Sequence, residues 1–185
     1  MKPGLILIDI QNDYFAGGNM ELFDMERAAD NAKKLLASFR NAKLPLFHIQ
    51  HISTRPGATF FKPDTIGVEI NERVLPQSDE SVVKKHFPNS FRETGLFELL
   101  ENSGVETVVI CGAMSHMCID ATVRAAFDLG FNCIVIEDAC ATRDLQHKGE
   151  KIEAGKVHGA FMSALSALYA RVISADEYFT DKGKK

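Results

Sequence analysis

The feature that most constrains this chain is a series of short apolar runs, each stopping abruptly at polar residues. Residues 5–8 are continuously apolar and end in Asp9-Ile10-Gln11-Asn12-Asp13. A run of that length, bounded in that way, reads as a strand buried on both faces. Similar runs occupy residues 46–52 (opened by Pro45), 81–87, 107–111 (closed by Gly112), 131–136 and 171–174. Between them lie stretches of helical period. Ala28, Ala32, Leu35, Leu36 and Phe39 recur at three- and four-residue steps, as do Ala154, Val157, Phe161, Ala164, Leu165 and Leu168. A short helix is expected over residues 96–100. A longer one is expected over 115–129, capped by Ser115 and ended by Gly130. Strands alternating with helices predict an α/β fold: three layers, α/β/α, around a six-stranded, mostly parallel sheet, Rossmann-like in outline. Residues 53–76 hold Pro56, Gly57, Pro63 and Gly67 and no long period, so they form a long loop, of the kind that tends to be functional. One domain is expected over residues 1–180, with 181–185 a solvated, flexible tail.

Composition narrows the function classes. Of 185 residues 45% are hydrophobic and 25% charged, with a formal net charge of −4. A nucleic-acid partner would call for a clustered basic face, and the only basic block is terminal. No apolar run approaches the roughly 20 residues of a membrane span, nor the shorter core of a signal peptide. A cytoplasmic protein is expected, acting on a small molecule. Cys111, Cys118, Cys133 and Cys140 lack the spacing of a zinc knuckle or a redox pair, so they read as free thiols. Cys111 and Cys133 sit in apolar runs, as buried small hydrophobes do.

In open α/β sheets, ligands bind beyond the carboxyl ends of the strands. Asp9 follows the first strand, Lys85 lies in the third, and the turn from Gly112 to Cys118 follows the fourth. Cys118 near a helix N-terminus and an ammonium is expected to have a lowered thiol pKa. Asp9 would take the thiol proton and pass it to a leaving group. Each residue also has a plainer reading: Asp9 as a turn residue, Cys118 as core, and one of Lys84 and Lys85 as a solvated partner of the other, since alternation turns them to opposite sides.

Three segments together carry a resemblance. LILIDIQNDY (residues 5–14), KHFPNSFRETGL (85–96) and ICGAMSHMCID (110–120), continued by DACATRD (138–144), resemble the signatures of the isochorismatase-like cysteine hydrolases, in order and over nearly the whole chain. The resemblance implies a catalytic triad of Asp9, Lys85 and Cys118, and selects Lys85 over Lys84. It implies a cis peptide at Ala113–Met114 and an oxyanion hole made by the backbone N–H groups of Met114 and Cys118. Donors of that kind are worth roughly 3–4 kcal/mol in a transition state. It places Tyr14, Phe60 and Phe61 in the substrate site, and it implies a homo-oligomer; His116 and Met117, which flank the nucleophile in sequence, are expected to bind substrate too.

The departures matter as well. Nicotinamidases of this family follow the second strand with an Asp-x-His metal motif, where this chain has Gln50-His51-Ile52-Ser53. His48 and His51, three apart on a strand, face opposite ways. No metal site and no cofactor are therefore expected. Isochorismatases proper, which cleave a vinyl ether, generally lack the nucleophilic Cys, so Cys118 points to an amide, ureido or related acyl bond. The alternatives are a vinyl-ether hydrolase, or a non-catalytic binding protein on the same fold. A haloacid-dehalogenase-type phosphatase would need an acid where Gln11 stands. A dinucleotide-binding domain would need G-x-G-x-x-G, which Gly17-Gly18 does not supply. His158 reads as structural, and Asp138 and Asp144 as holders of the turn after the fifth strand.

Overall fold

The structure, a computed structural model, describes residues 1–182. Its centre is a six-stranded sheet with every neighbouring pair parallel, in the order β3-β2-β1-β4-β5-β8. The strands are β1 (Pro3–Ile8), β2 (Leu46–His51), β3 (Ser81–Lys85), β4 (Thr107–Ala113), β5 (Asn132–Ala141) and β8 (Arg171–Ile173). The apolar runs are continuous because both faces of the sheet are covered. Leu5 and Leu7 of β1 face one core, together with Leu35, Leu36 and Phe39 of helix α1 (Met25–Asn41) and Tyr178 of helix α5 (Ala175–Lys182). Ile6 and Ile8 face the other core. There they meet Leu96 and Leu100 of α2 (Leu96–Asn102), Val123 and Ala126 of α3 (Asp120–Asp128), and Met162 and Leu165 of α4 (Ala154–Ser166). The three-layer architecture expected from the sequence is the one observed.

Several boundaries differ. β5 runs five residues beyond the expected end at Ile136, through a register shift against β4 between Ile110 and Gly112. Gly112 sits at that irregularity with φ +123°, and a Cβ there would come within 1.9 Å of the carbonyl oxygen of Ile8. Only glycine lets β4 pass that close to β1. A small hairpin, β6 (Leu145–His147) and β7 (Glu150–Ile152), was not expected, because its polar residues carry no apolar alternation. Asp181 and Lys182 belong to helix α5, and the remainder of the expected tail, 183–185, lies outside the described residues. Asp138 and Asp144 anchor helix starts: each accepts a backbone N–H at 2.8 Å, from Ala175 and Ala154 respectively.

The helix expected over 115–129 is two elements. Ser115–Ile119 is a single π-helical turn that runs into α3. Ser115 does not cap it: its hydroxyl donates toward the Ala141 carbonyl (3.2 Å) and meets His158 Nδ1 at 2.9 Å. That pairing accounts for His158, which was read as structural. Such turns concentrate at functional sites, since the extra residue re-aims one side chain.

Candidate active site

β1, β2, β3 and β4 all end at the same edge of the sheet, and the side chains just past those ends converge. Asp9 follows β1 in the left-handed region (φ 53°), a conformation that Asp tolerates better than most residues. It is fully buried, as is Lys85 at the end of β3, and Lys85 Nζ stands 2.8 Å from Asp9 Oδ2. The approach is off the hydrogen-bonding direction, so neither carboxylate oxygen has an aligned donor within the protein. The ammonium also lies 3.2 Å from the Phe87 carbonyl and 3.3 Å from that of Pro88. Cys118, in the π turn after β4, is 4% exposed. The peptide bond between Ala113 and Met114, just before that turn, is cis.

A fourth residue completes the cluster. His51, at the end of β2 and in register with Lys85, places Nδ1 3.2 Å from Lys85 Nζ, 3.8 Å from Asp9 Oδ2 and 4.0 Å from Cys118 Sγ. Sequence reasoning weighed His51 only as a metal ligand and passed it over. Its position at a strand's carboxyl end, one strand over from Asp9, was the available signal. His48, by contrast, is turned away and contacts Glu80 at 3.0 Å.

Gln11 fixes His51. Its Oε1 accepts the His51 backbone N–H at 2.8 Å, and its Nε2 donates to the carbonyls of His51 (2.9 Å) and Val68 (2.7 Å). Asn12 and Asp13 continue the stitching. Asn12 donates to the Ile66 carbonyl at 3.0 Å, and Asp13 accepts the Phe61 N–H at 2.6 Å. The polar run after β1 therefore pins the long loop over the sheet edge. The sequence showed its polarity but not its partners.

Burial alone would raise the pKa of Asp9, but Lys85 and then His51 outweigh it and hold the carboxyl below its ordinary value. Burial would likewise lower that of Lys85, and Asp9 and Cys118 outweigh it. Cys118 goes opposite to expectation. Burial first, and the Asp9 charge second, push its thiol well above the ordinary range, and Lys85 only partly offsets them. The helix-terminus effect assumed from sequence is overridden because the sulfur is desolvated beside a carboxylate. The resting state is thus a thiol next to an Asp–Lys ion pair.

A cavity of about 280 Å³ opens onto Cys118. Of the residues expected to bind substrate, Tyr14, Phe60 and Met117 line it, as does Met114. Phe61 and His116 do not. Phe61 is fully buried, its ring 4.6 Å from that of Tyr14 and 5.8 Å from that of His51, so it backs the lining. His116 is turned to Thr142 Oγ1 at 2.6 Å and packs edge-on against Phe161. Asp9, His51 and Cys118 each offer a ligand atom within 4.8 Å of the others, a spacing suited to a metal ion. The Lys85 ammonium already stands against two of those atoms, and its charge opposes a second cation there.

The comparisons with known proteins agree with this fold. The family model for the Isochorismatase domain matches residues 3–177. The isochorismatase family protein YddQ of Bacillus subtilis (strain 168) is 52% identical, over 96% of this chain and 99% of its own length. The crystal structure of an isochorismatase hydrolase from Oleispira antarctica superposes with a TM-score of 0.93 at 49% identity, covering 97% of this chain and 96% of the other. A maleamate amidohydrolase of Pseudomonas putida is 30% identical over 77% of this chain and 73% of its own. The fold is the parallel α/β/α sheet of an α/β-type hydrolase, shared with these relatives. The chain belongs to the isochorismatase family and is a hydrolase of that family.

Proposed function

We propose that this hydrolase cleaves the C–N bond of a small amide or ureido compound through a covalent intermediate on Cys118. The observation that carries the reading is the contact set at the sheet edge: a buried thiol beside a buried carboxylate, itself paired to a buried ammonium at 2.8 Å. Cys118 Sγ attacks the carbonyl carbon as its proton passes to Asp9. The tetrahedral oxyanion rests on the backbone N–H groups of Met114 and Cys118. Collapse breaks the C–N bond, Asp9 returns the proton to the departing nitrogen, and a thioester remains. Water, deprotonated by Asp9, attacks the thioester, and the acid leaves as the thiol is restored. Lys85 holds Asp9 ionised and stabilises negative charge developing on sulfur.

The similarity to an amidohydrolase supports the choice of bond, and Cys118 itself argues against vinyl-ether cleavage. A cytoplasmic location and a homo-oligomer belong to the same reading. Among the described residues no helix is long and apolar enough to cross a membrane. The test is a screen of small amides and ureides with wild type and Cys118→Ala, with and without a chelator. Turnover that needs Cys118 and ignores chelation supports the reading. Turnover surviving in Cys118→Ala, or lost to chelator and restored by metal, overturns it.

A further inference from the structure

We propose that Arg55 is the substrate-recognition residue of this site and that the natural substrate is an amide whose far end carries a carboxylate. The inference rests on the amide reading above and narrows its substrate class. The cavity on Cys118 is walled by Tyr14, Phe60, Pro88, Met114 and Met117, all apolar or aromatic in their bulk. Arg55 is the one lining side chain with a permanent charge. Its guanidinium has no acidic partner among the described residues, although several other arginines of this chain are paired. Arg55 is exposed, and His51, Ser53 and Thr59 are further polar residues of the lining, so its unpaired guanidinium is the group there that selects an anion, with a fork that matches a carboxylate in two-point contact.

Backbone hydrogen bonds close the loop that carries Arg55. The Ser53 N–H donates to the Phe61 carbonyl at 2.8 Å, closing the loop at its base. The Ala58 N–H donates to the Arg55 carbonyl at 3.2 Å, forming a turn within it. Asp13 then ties Phe61 back to the end of β1. Tyr14 adds a neutral donor. Its ring lines the cavity, its hydroxyl has no protein partner among the described residues, and burial keeps its proton on. An amide group placed at Cys118 therefore has a hydroxyl donor beside it and a cation farther along the wall. The Asp9–Lys85 pair behind the sulfur is internally neutralised, and Arg143, whose charge reaches Tyr14 and His116 from outside the lining, adds to the positive field that Arg55 brings to the cavity wall.

The probes are the ω-amides of dicarboxylic acids, from malonamate to adipamate, each compared with its neutral methyl ester. Both kcat/KM for wild type and binding to Cys118→Ala by calorimetry are measured, so that recognition is read even where turnover is absent. At the best chain length the acid should exceed its ester by about tenfold or more, the size of one charge-assisted contact at a partly exposed site. In Arg55→Ala the ratio should fall to near one, and Arg55→Lys should recover only part of it. Raised salt should erode the ratio in wild type. An acid-to-ester ratio near one in wild type, or one unchanged by Arg55→Ala, overturns the proposal. Preferential binding of the acid to Cys118→Ala without turnover by wild type would leave Arg55 standing and count against the amide reading instead.

Discussion

Asp9 and Lys85 form an ion pair at 2.8 Å with both side chains closed to solvent, and the sulfur of Cys118 lies within 4.8 Å of an oxygen of that carboxylate. The carboxylate raises the thiol pKa that the ammonium would lower. This sets the site apart from one built around a standing thiolate. Replacing Asp9 with Asn removes the second-largest cause of the raised thiol pKa while leaving Lys85 in place. Asp9→Asn should therefore speed alkylation of Cys118 by iodoacetamide at pH 7. Hydrolysis should fall by roughly 10²–10⁴-fold, for want of the proton carrier. Peptide mass spectrometry reads the first and steady-state kinetics the second. Slower alkylation in the variant would mean that Asp9 creates the thiolate rather than suppressing it.

Gln11 makes three hydrogen bonds that fix His51 and the Val68 segment. Gln11→Ala leaves the His51 N–H without its partner, while the Val68 carbonyl keeps the Gln50 side-chain amide at 3.0 Å. With one buried group left unpaired, a loss of about 1–3 kcal/mol in unfolding free energy is expected. Because His51 is released along with the loop, kcat should fall more than KM rises. Urea denaturation and kinetics on the same preparation test both parts. An unchanged kcat in a destabilised variant would confine Gln11 to a structural role.

These residues show how much was legible in the sequence. The apolar runs declared the strands because both faces of the sheet are covered, and Asp9, Lys85 and Cys118 were legible because each stands by a strand end. His51 and Gln11 were missed for a common reason: their importance lies in contacts across 34 to 67 residues of chain, which no local pattern encodes. Phe61 and His116 read as pocket residues from their neighbours in sequence. Side-chain direction decided otherwise, sending one beneath Tyr14 and the other to Thr142. The thiol pKa went the wrong way because helix position is visible in a sequence and desolvation is not.

Away from the site, Glu80 ties α1 to the segment before β3. It accepts from Arg40 at 2.6 and 2.7 Å and from the Gln77 N–H at 2.8 Å, and it meets His48 at 3.0 Å. Burial would raise its pKa, but the Arg40, Gln77 and His48 contacts bring it down to about 2 from an ordinary 4.5. A depressed acid contributes stability that is present above its unfolded pKa and lost as pH falls through the folded one. The melting temperature of wild type should therefore drop more steeply between pH 4.5 and 2 than that of Glu80→Gln, which should already be lower at pH 7. Parallel curves for the two proteins across that range would contradict the assignment.

The central claim is a covalent bond between the substrate acyl group and Cys118. Acid quenching of wild type during turnover of whichever amide the screen yields, followed by digestion and mass spectrometry, reads it directly. The expected result is a thioester on the peptide containing Cys118, with a mass gain equal to the acyl group. The adduct should be absent from Cys118→Ala, which should lack turnover. An unmodified Cys118 peptide throughout the time course, together with near-normal turnover by Cys118→Ala, would contradict the account.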